Sequence, residues 1–249
     1  MKKPFIITID GQASSGKSSI AKIVASKLNL PWFSSGRLYR MVGLYAFRRQ
    51  FLPTNESGLQ DTAYQRKLTE LVAQLKKDLQ VSGGQVTLAS HNHRLTEALN
   101  SEEAGVHASM VAKDPLCRNL LLTWQRELAE QIATNYPYPK TTRPGIIFEG
   151  RDMGTVVFSD ANLKFFLICS HNTRVARRWE ELHPNQSANR HDLSQLSKLI
   201  KTRDDNDIYR KVAPLKPAND AITIDTTLMN LDQVTVKIMA EIPQSMSRD

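Results

Sequence analysis

Gly11-Gln12-Ala13-Ser14-Ser15-Gly16-Lys17-Ser18 stands between a short apolar run, Phe5 to Asp10, and a stretch in which Ile20, Ile23, Val24 and Leu28 recur at helical spacing. The octapeptide matches G-x-x-x-x-G-K-[ST], and its flanks are the strand before and helix after that this motif requires. Its glycines let the chain curl so that successive backbone N–H groups point inward and cradle phosphate oxygens. The helix that follows adds its N-terminal dipole. Lys17 is then placed to reach β- and γ-phosphates and the Ser18 hydroxyl to meet Mg²⁺, with Ser19 beside it in the first turn. A Gly/Ser turn that merely precedes a lysine explains neither flank, so the loop implies nucleotide binding in an α/β fold.

The rest of the chain keeps that alternation. Trp32-Phe33 reads as a strand before a helix carrying Leu38, Val42, Tyr45 and Phe47, and Leu68 to Leu75 reads as a helix. Leu79 and Val81, the turn Ser82-Gly83-Gly84, then Val86 and Leu88 form a hairpin signal, so residues 60–105 read as an inserted subdomain with a small antiparallel sheet. Helices are expected over 106–112 and 115–133, and an irregular loop over Tyr136 to Pro144. Gly145 to Glu149 and Leu163 to Cys169 read as buried strands, with a basic helix around Arg174 to Leu182. Ala221 to Asp225 reads as a last strand and Leu231 to Ile242 as a closing helix. Short apolar strands between helices imply a central parallel sheet covered on both faces.

A length of 249 residues suits one α/β domain carrying an insertion, or at most two domains. The first apolar run is too short for a signal sequence and ends on a carboxylate. With no run long enough to span a bilayer and only Cys117 and Cys169 as cysteines, a cytoplasmic protein without disulfides is expected. Thirty-three Lys and Arg against 25 Asp and Glu give a formal charge of +8. That excess suits nucleic acid, a membrane surface or a small polyanion. The absence of a basic tail or an aromatic-interleaved basic stripe favours a basic surface with an anion pocket.

Further stretches carry a family resemblance. Ser35-Gly36-Arg37-Leu38-Tyr39-Arg40, Glu149-Gly150-Arg151-Asp152-Met153-Gly154-Thr155-Val156-Val157-Phe158, Arg203-Asp204-Asp205-Asn206-Asp207, Val212-Ala213-Pro214-Leu215-Lys216-Pro217-Ala218 and Ile224-Asp225-Thr226-Thr227, with the phosphate loop, make the chain similar to bacterial cytidylate kinases over nearly its whole length. The resemblance implies a P-loop kinase fold: a central parallel sheet flanked by helices, an inserted nucleotide-binding subdomain and a short lid. The acceptor-binding insertion would cover about 34–112 and the lid about 172–192, within one domain over 1–249. It implies transfer of the γ-phosphoryl of ATP, with Mg²⁺, to CMP and dCMP, by a monomer without nucleic-acid or membrane partners.

A nucleoside monophosphate is nearly a dianion at neutral pH, with a second pKa of about 6, so it needs arginines and no strong base. By resemblance Arg40, Arg151 and Arg210 hold the acceptor phosphate, with Ser35 beside them. Arg203 and Asp207 meet sugar and phosphate, although residues four apart also form ordinary helix-surface ion pairs. Cytosine offers a donor at N4 and acceptors at N3 and O2, so Ser109 and Asp152 would face N4 and Arg118 would face N3 and O2. Arg174, Arg177 and Arg178 fall in the lid. Arg178 and Arg177 read as functional, whereas a solvent-facing role accounts equally well for Arg174. The catalytic centre is thus assigned to Lys17, Arg151, Asp152 and Arg178, the nucleotide loop to Gly11 through Ser19, and the metal to Ser18 and Glu149.

The chain departs from the family in having Glu149 for an aspartate, Ser34-Ser35-Gly36-Arg37 for Asp-[Ser/Thr]-Gly-Ala, Gln12 for a proline, and an untypical Asn206 to Lys211. The competing readings are a related kinase for UMP, AMP or an alcohol, a nucleic-acid-stimulated ATPase, and a catalytically weak nucleotide-binding protein.

Overall fold

The computed structural model describes residues 4–82, 85–88, 98–136, 138, 144–244 and 246. Strand β1 (Phe5–Gly11) leads through the phosphate loop into helix α1 (Lys17–Lys27), followed by β2 (Trp32–Ser34) and α2 (Ser35–Arg48). A short 3-10 turn precedes α3 (Thr62–Asp78), then β3 (Leu79–Ser82), β4 (Gln85–Leu88), α4 (Glu102–Val111) and α5 (Pro115–Asn135). The chain then forms β5 (Gly145–Gly150), a π-helical turn (Met153–Val157), β6 (Leu163–Ile168), α6 (His171–Leu182), α7 (Arg190–Tyr209), β7 (Ile222–Asp225) and α8 (Leu231–Ala240).

Five strands form one sheet in the order β2-β5-β1-β6-β7, and every pairing in it is parallel. The period-two alternation of strands divides the core into two layers. Ile6, Phe33, Ile146 and Phe148 face α2, α3 and α5, packing with Leu38, Val42, Leu68, Leu71, Leu121 and Trp124. Ile7, Ile9, Ile147, Phe165 and Leu167 face the other way, onto Ile20, Val24, Val234 and Ile238 of α1 and α8. Both edge strands are short: β2 has 3 residues and β7 has 4.

β3 and β4 pair antiparallel as a separate two-stranded sheet, as the hairpin signal implied; its Gly83-Gly84 turn lies outside the described residues, as does most of the expected loop after Tyr136. Helix α4 begins at Glu102, four residues before the expected start, because the Ser101 hydroxyl accepts the Ala104 N–H at 3.1 Å and caps it. Helix α8 stops at Ala240, short of the expected Ile242. The carboxyl ends of β1, β2 and β5 lie side by side, and each runs straight into a loop or helix that carries candidate residues. In open parallel sheets this edge is where ligands bind.

Candidate active site

Gly11 ends β1 so close to β6 that a Cβ there would sit 2.2 Å from the Leu167 carbonyl oxygen. Gly16, at φ 89°, turns the loop into α1 in the left-handed region that favours glycine. No side chain caps the N-terminus of α1 or of α2, and neither first turn contains an acid. Helices α4, α5, α6, α7 and α8 are all capped by a side chain. The two uncapped ends open on the same cavity of about 380 Å³. Their free N–H groups and positive dipole ends make that cavity an anion site.

Its wall is built from three directions. Ala13, Ser14, Gly16, Lys17, Ser18 and Ser19 of the loop and α1 close one end, while Gly11, Gln12 and Ser15 lie behind them, outside the lining. Ser35, Arg37 and Arg40 come from α2, Ser109 from α4, and Glu149, Arg151 and Asp152 from the end of β5. Arg178 of α6, Arg203 and Asp207 of α7, and Arg210 close the far side. Cations outnumber carboxylates on this wall.

The arginines are held in place by carbonyls and carboxylates. Arg40 donates to the carbonyl oxygens of Leu99 and Ser101, each at 2.7 Å. Gly105 lets Arg40 and Arg203 converge, since a Cβ there would lie 3.2 Å from one and 3.6 Å from the other. Arg151 Nε donates to Asp207 Oδ2 at 2.9 Å, and Arg210 Nη1 to Asp207 Oδ1 at 3.4 Å. Arg210 Nε bonds the Ala213 carbonyl at 2.6 Å, but its Nη2 is buried with no hydrogen-bond partner among the described residues. Burial and the Arg118 charge push the Arg210 guanidinium below its ordinary pKa. Burial alone would raise Asp207, yet Arg151, Arg210 and Arg203 outweigh it and hold that carboxyl below its usual value. Lys17 folds back onto the Gln12 carbonyl and the Ser15 hydroxyl. Burial, then Arg151, push its ammonium well below the usual range, as expected of a cation waiting for an anion.

Beneath the acceptor side, Asp152 pairs with Arg118, which also donates to the Ala112 carbonyl at 3.1 Å. Arg118 therefore lies under Asp152 and off the cavity wall. Its guanidinium sits 5.5 Å from the centre of the Tyr39 ring. The Ser109 hydroxyl donates back to the Gly105 carbonyl at 3.1 Å, and that of Ser35 to Gln125 Oε1 at 2.6 Å. Ser18 donates to Glu149 Oε1 at 3.0 Å. These are hard oxygen donors of the kind Mg²⁺ takes, and Mg²⁺ normally keeps several water and phosphate ligands of its own. The described residues hold no cluster of three or more His, Cys, Asp or Glu that would make an all-protein cage. Ser18 and Glu149 thus fit a metal delivered with nucleotide phosphates.

The three arginines of the expected lid divide. Arg174, read from sequence as equally well accounted for by a solvent face, is buried. It pairs with Asp204 and donates to the carbonyls of Cys169 at 3.1 Å and Ala13 at 3.2 Å, while Asp204 accepts the Ala13 N–H at 3.4 Å. Arg177 bonds the Thr226 and Met229 carbonyls at 2.7 and 2.9 Å. Arg178 alone of the three lines the cavity. Sequence reasoning missed Asp204, Gln125 and Asp10. Asp10 had a visible signal, a carboxylate ending an otherwise apolar strand; Gln125 had none, being one polar residue in a helix.

With this geometry in view, relatives are informative. A family model described as cytidylate kinase matches residues 7–244. This chain belongs to the cytidylate kinase family. Among curated members it is 38% identical over 237 residues to the cytidylate kinase of Pseudomonas syringae pv. tomato, covering 95% of this chain and 94% of that one. It is 36% identical over 243 residues to that of Stutzerimonas stutzeri, covering 97% of each. The cytidylate kinase of Azotobacter vinelandii is 37% identical over 240 residues, covering 96% of each. No described helix is long and apolar enough to cross a membrane. Cys117 and Cys169 are buried and free.

Proposed function

We propose that this chain transfers the γ-phosphoryl group of ATP to CMP and dCMP, giving ADP with CDP or dCDP. The observation that carries the reading is the buried Nη2 of Arg210, left without a hydrogen-bond partner beside a cavity already lined by Arg40, Arg151 and Arg203. Buried donors are otherwise satisfied, so an acceptor-rich anion is the natural occupant. The family's relatives, named cytidylate kinase, supply the acceptor's identity.

In this reading the loop from Gly11 to Ser19 holds the ATP phosphates, and Lys17 leaves the Gln12 carbonyl to meet them. Ser35, Arg40, Arg151, Arg203, Asp207 and Arg210 hold the acceptor's phosphate and sugar. An acceptor phosphate oxygen attacks the γ-phosphorus in line, the bond from that phosphorus to the β–γ bridging oxygen breaks, and ADP leaves with the electron pair. The oxygen is already ionised near neutral pH, the second pKa being about 6, so no general base is needed. Catalysis is positioning and neutralisation of charge. Bound with the nucleotide at Ser18 and Glu149, magnesium would spread phosphate charge. Arg178 would come over the transferred group as the lid, about 172–192, closes on the insertion, about 34–112.

Ser109 and Asp152 would accept from cytosine N4. Arg118 fixes the Asp152 carboxylate, and its own contact to N3 and O2 requires it to move onto the cavity wall, which it does not line. Uracil, with an acceptor at position 4, meets the acceptor-only Asp152 carboxylate there and should be rejected. A monomer acting in the cytoplasm completes the reading. The test is ADP production from ATP·Mg²⁺ with CMP, dCMP, UMP and AMP offered separately. Turnover confined to CMP and dCMP supports it. Equal turnover of UMP or AMP would overturn the base-pocket assignment, and no acceptor-dependent turnover would overturn the kinase.

A further inference from the structure

Asp152 occupies the N-cap position of the π-helical turn Met153–Val157 but makes no capping bond to it. Aspartate is among the strongest N-cap residues because its carboxylate accepts the first free N–H groups of a helical turn. Here those N–H groups are taken by a residue on another strand. Asp10 Oδ1 accepts the Met153 N–H at 3.0 Å and Oδ2 accepts the Gly154 N–H at 2.7 Å. Asp10 lies opposite Gly150 at the ends of adjacent strands, one residue before the phosphate loop, and is 4% exposed.

We infer that Asp10 is a positioning residue that caps the Met153–Val157 turn from β1, so that the Asp152 carboxylate stays turned to Arg118 and the acceptor pocket. The inference rests on the proposed contact between Asp152 and the acceptor base. Two carboxylates share the turn, and each has one task. Were Asp10 unable to accept both N–H groups, the orphan would fall to the N-cap carboxylate of Asp152, and capping would compete directly with base recognition. Burial raises the Asp10 carboxyl to about 7 and its two N–H bonds restrain that rise. The geometry, with an N–H on each oxygen, is that of the ionised form. Gly154 helps seat the turn, because a Cβ there would come 2.9 Å from Thr8 Oγ1. The same carboxylate thereby ties the strand that leads into the donor loop to the segment that carries Arg151.

The substitution to make is Asp10→Asn, which keeps the shape but offers one acceptor for two N–H groups. A buried donor left unmade is worth about a tenfold change. KM for CMP should therefore rise by about tenfold while KM for ATP changes less than about twofold, and the preference for CMP over UMP should shrink by about the same factor. A residue that only held the strand in place would move both KM values together and leave the base preference intact; that result would overturn the inference. The double variant with Asp152→Ala sharpens the test. If Asp10 acts through Asp152, adding Asp10→Asn to that background leaves CMP affinity, measured by calorimetry without ATP, unchanged; a full additive loss would overturn it. Should Asp10→Asn fail to fold, amide exchange in the intact protein decides. Slow exchange at Met153 and Gly154 supports the cap, and fast exchange there overturns it. Failure of the wild type to phosphorylate CMP would instead remove the proposed function, leaving the exchange result to stand on its own.

Discussion

Arg210 shows how much of this site is built for something that is not protein. One of its nitrogens bonds a carbonyl, one reaches Asp207, and the third is buried with no hydrogen bond among the described residues, Asp152 Oδ1 standing 3.7 Å away. Such a donor costs about 1–3 kcal/mol until it is met. Arg210→Ala should consequently raise KM for CMP by about tenfold or more, while KM for ATP changes less than about twofold. Loss of stability with KM unchanged would contradict that assignment. Asp207 is the complementary case, its carboxyl held below the usual 3.8 by arginines that outweigh burial. The folded chain then binds fewer protons at this site than the unfolded one. Its stabilising contribution is complete above the ordinary carboxylate range and is lost as pH falls through the lowered value. The stability gap between wild type and Asp207→Asn should accordingly narrow as urea unfolding is repeated at pH below 3.8. At this scale the loop residues and Arg151 were readable because motif and strand context agree. Gln125 and Asp204 were not, nor was the pairing of Arg118 beneath Asp152, since a hydrogen bond between residues far apart in sequence leaves no local pattern.

Between elements, α2 and α4 approach each other closely at Gly43. At Gly43 a Cβ would stand 2.6 Å from the backbone carbon of His107 and 2.8 Å from the Ala108 nitrogen. Backbone cannot yield as a side-chain tip can, so Gly43→Ala must separate the helices. A loss of about 1–3 kcal/mol is expected from overpacking of this kind. Since α2 carries Arg40 and α4 carries Ser109, KM for CMP should rise with it, checked by unfolding and kinetics on one preparation. The helices themselves were legible from their 3.6-residue spacing. Their ends were less so: α4 starts where Ser101 caps it, ahead of its apolar pattern. The pair Arg174 and Asp204 reads from sequence as charge on two helices. In three dimensions it grips both backbone polar groups of Ala13, the carbonyl from α6 and the N–H from α7. A buried charge pair of this sort is costly to break, at about 3–5 kcal/mol when one partner is removed.

Across the whole molecule, the parallel sheet and its two covering layers followed from strands too apolar to face water on either side. The order β2-β5-β1-β6-β7 did not, because strand order is settled by long-range packing that no window of sequence contains. The consequence of that order reaches past the reaction. The longest strand, β1, with 7 residues, is in the middle. At the borders stand β2 and β7, with 3 and 4. A border strand offers unpaired N–H and C=O groups to any neighbouring chain, and its length sets how many such bonds a stranger can make. By ending on its shortest strands, this sheet gives a foreign segment almost nothing to zip onto.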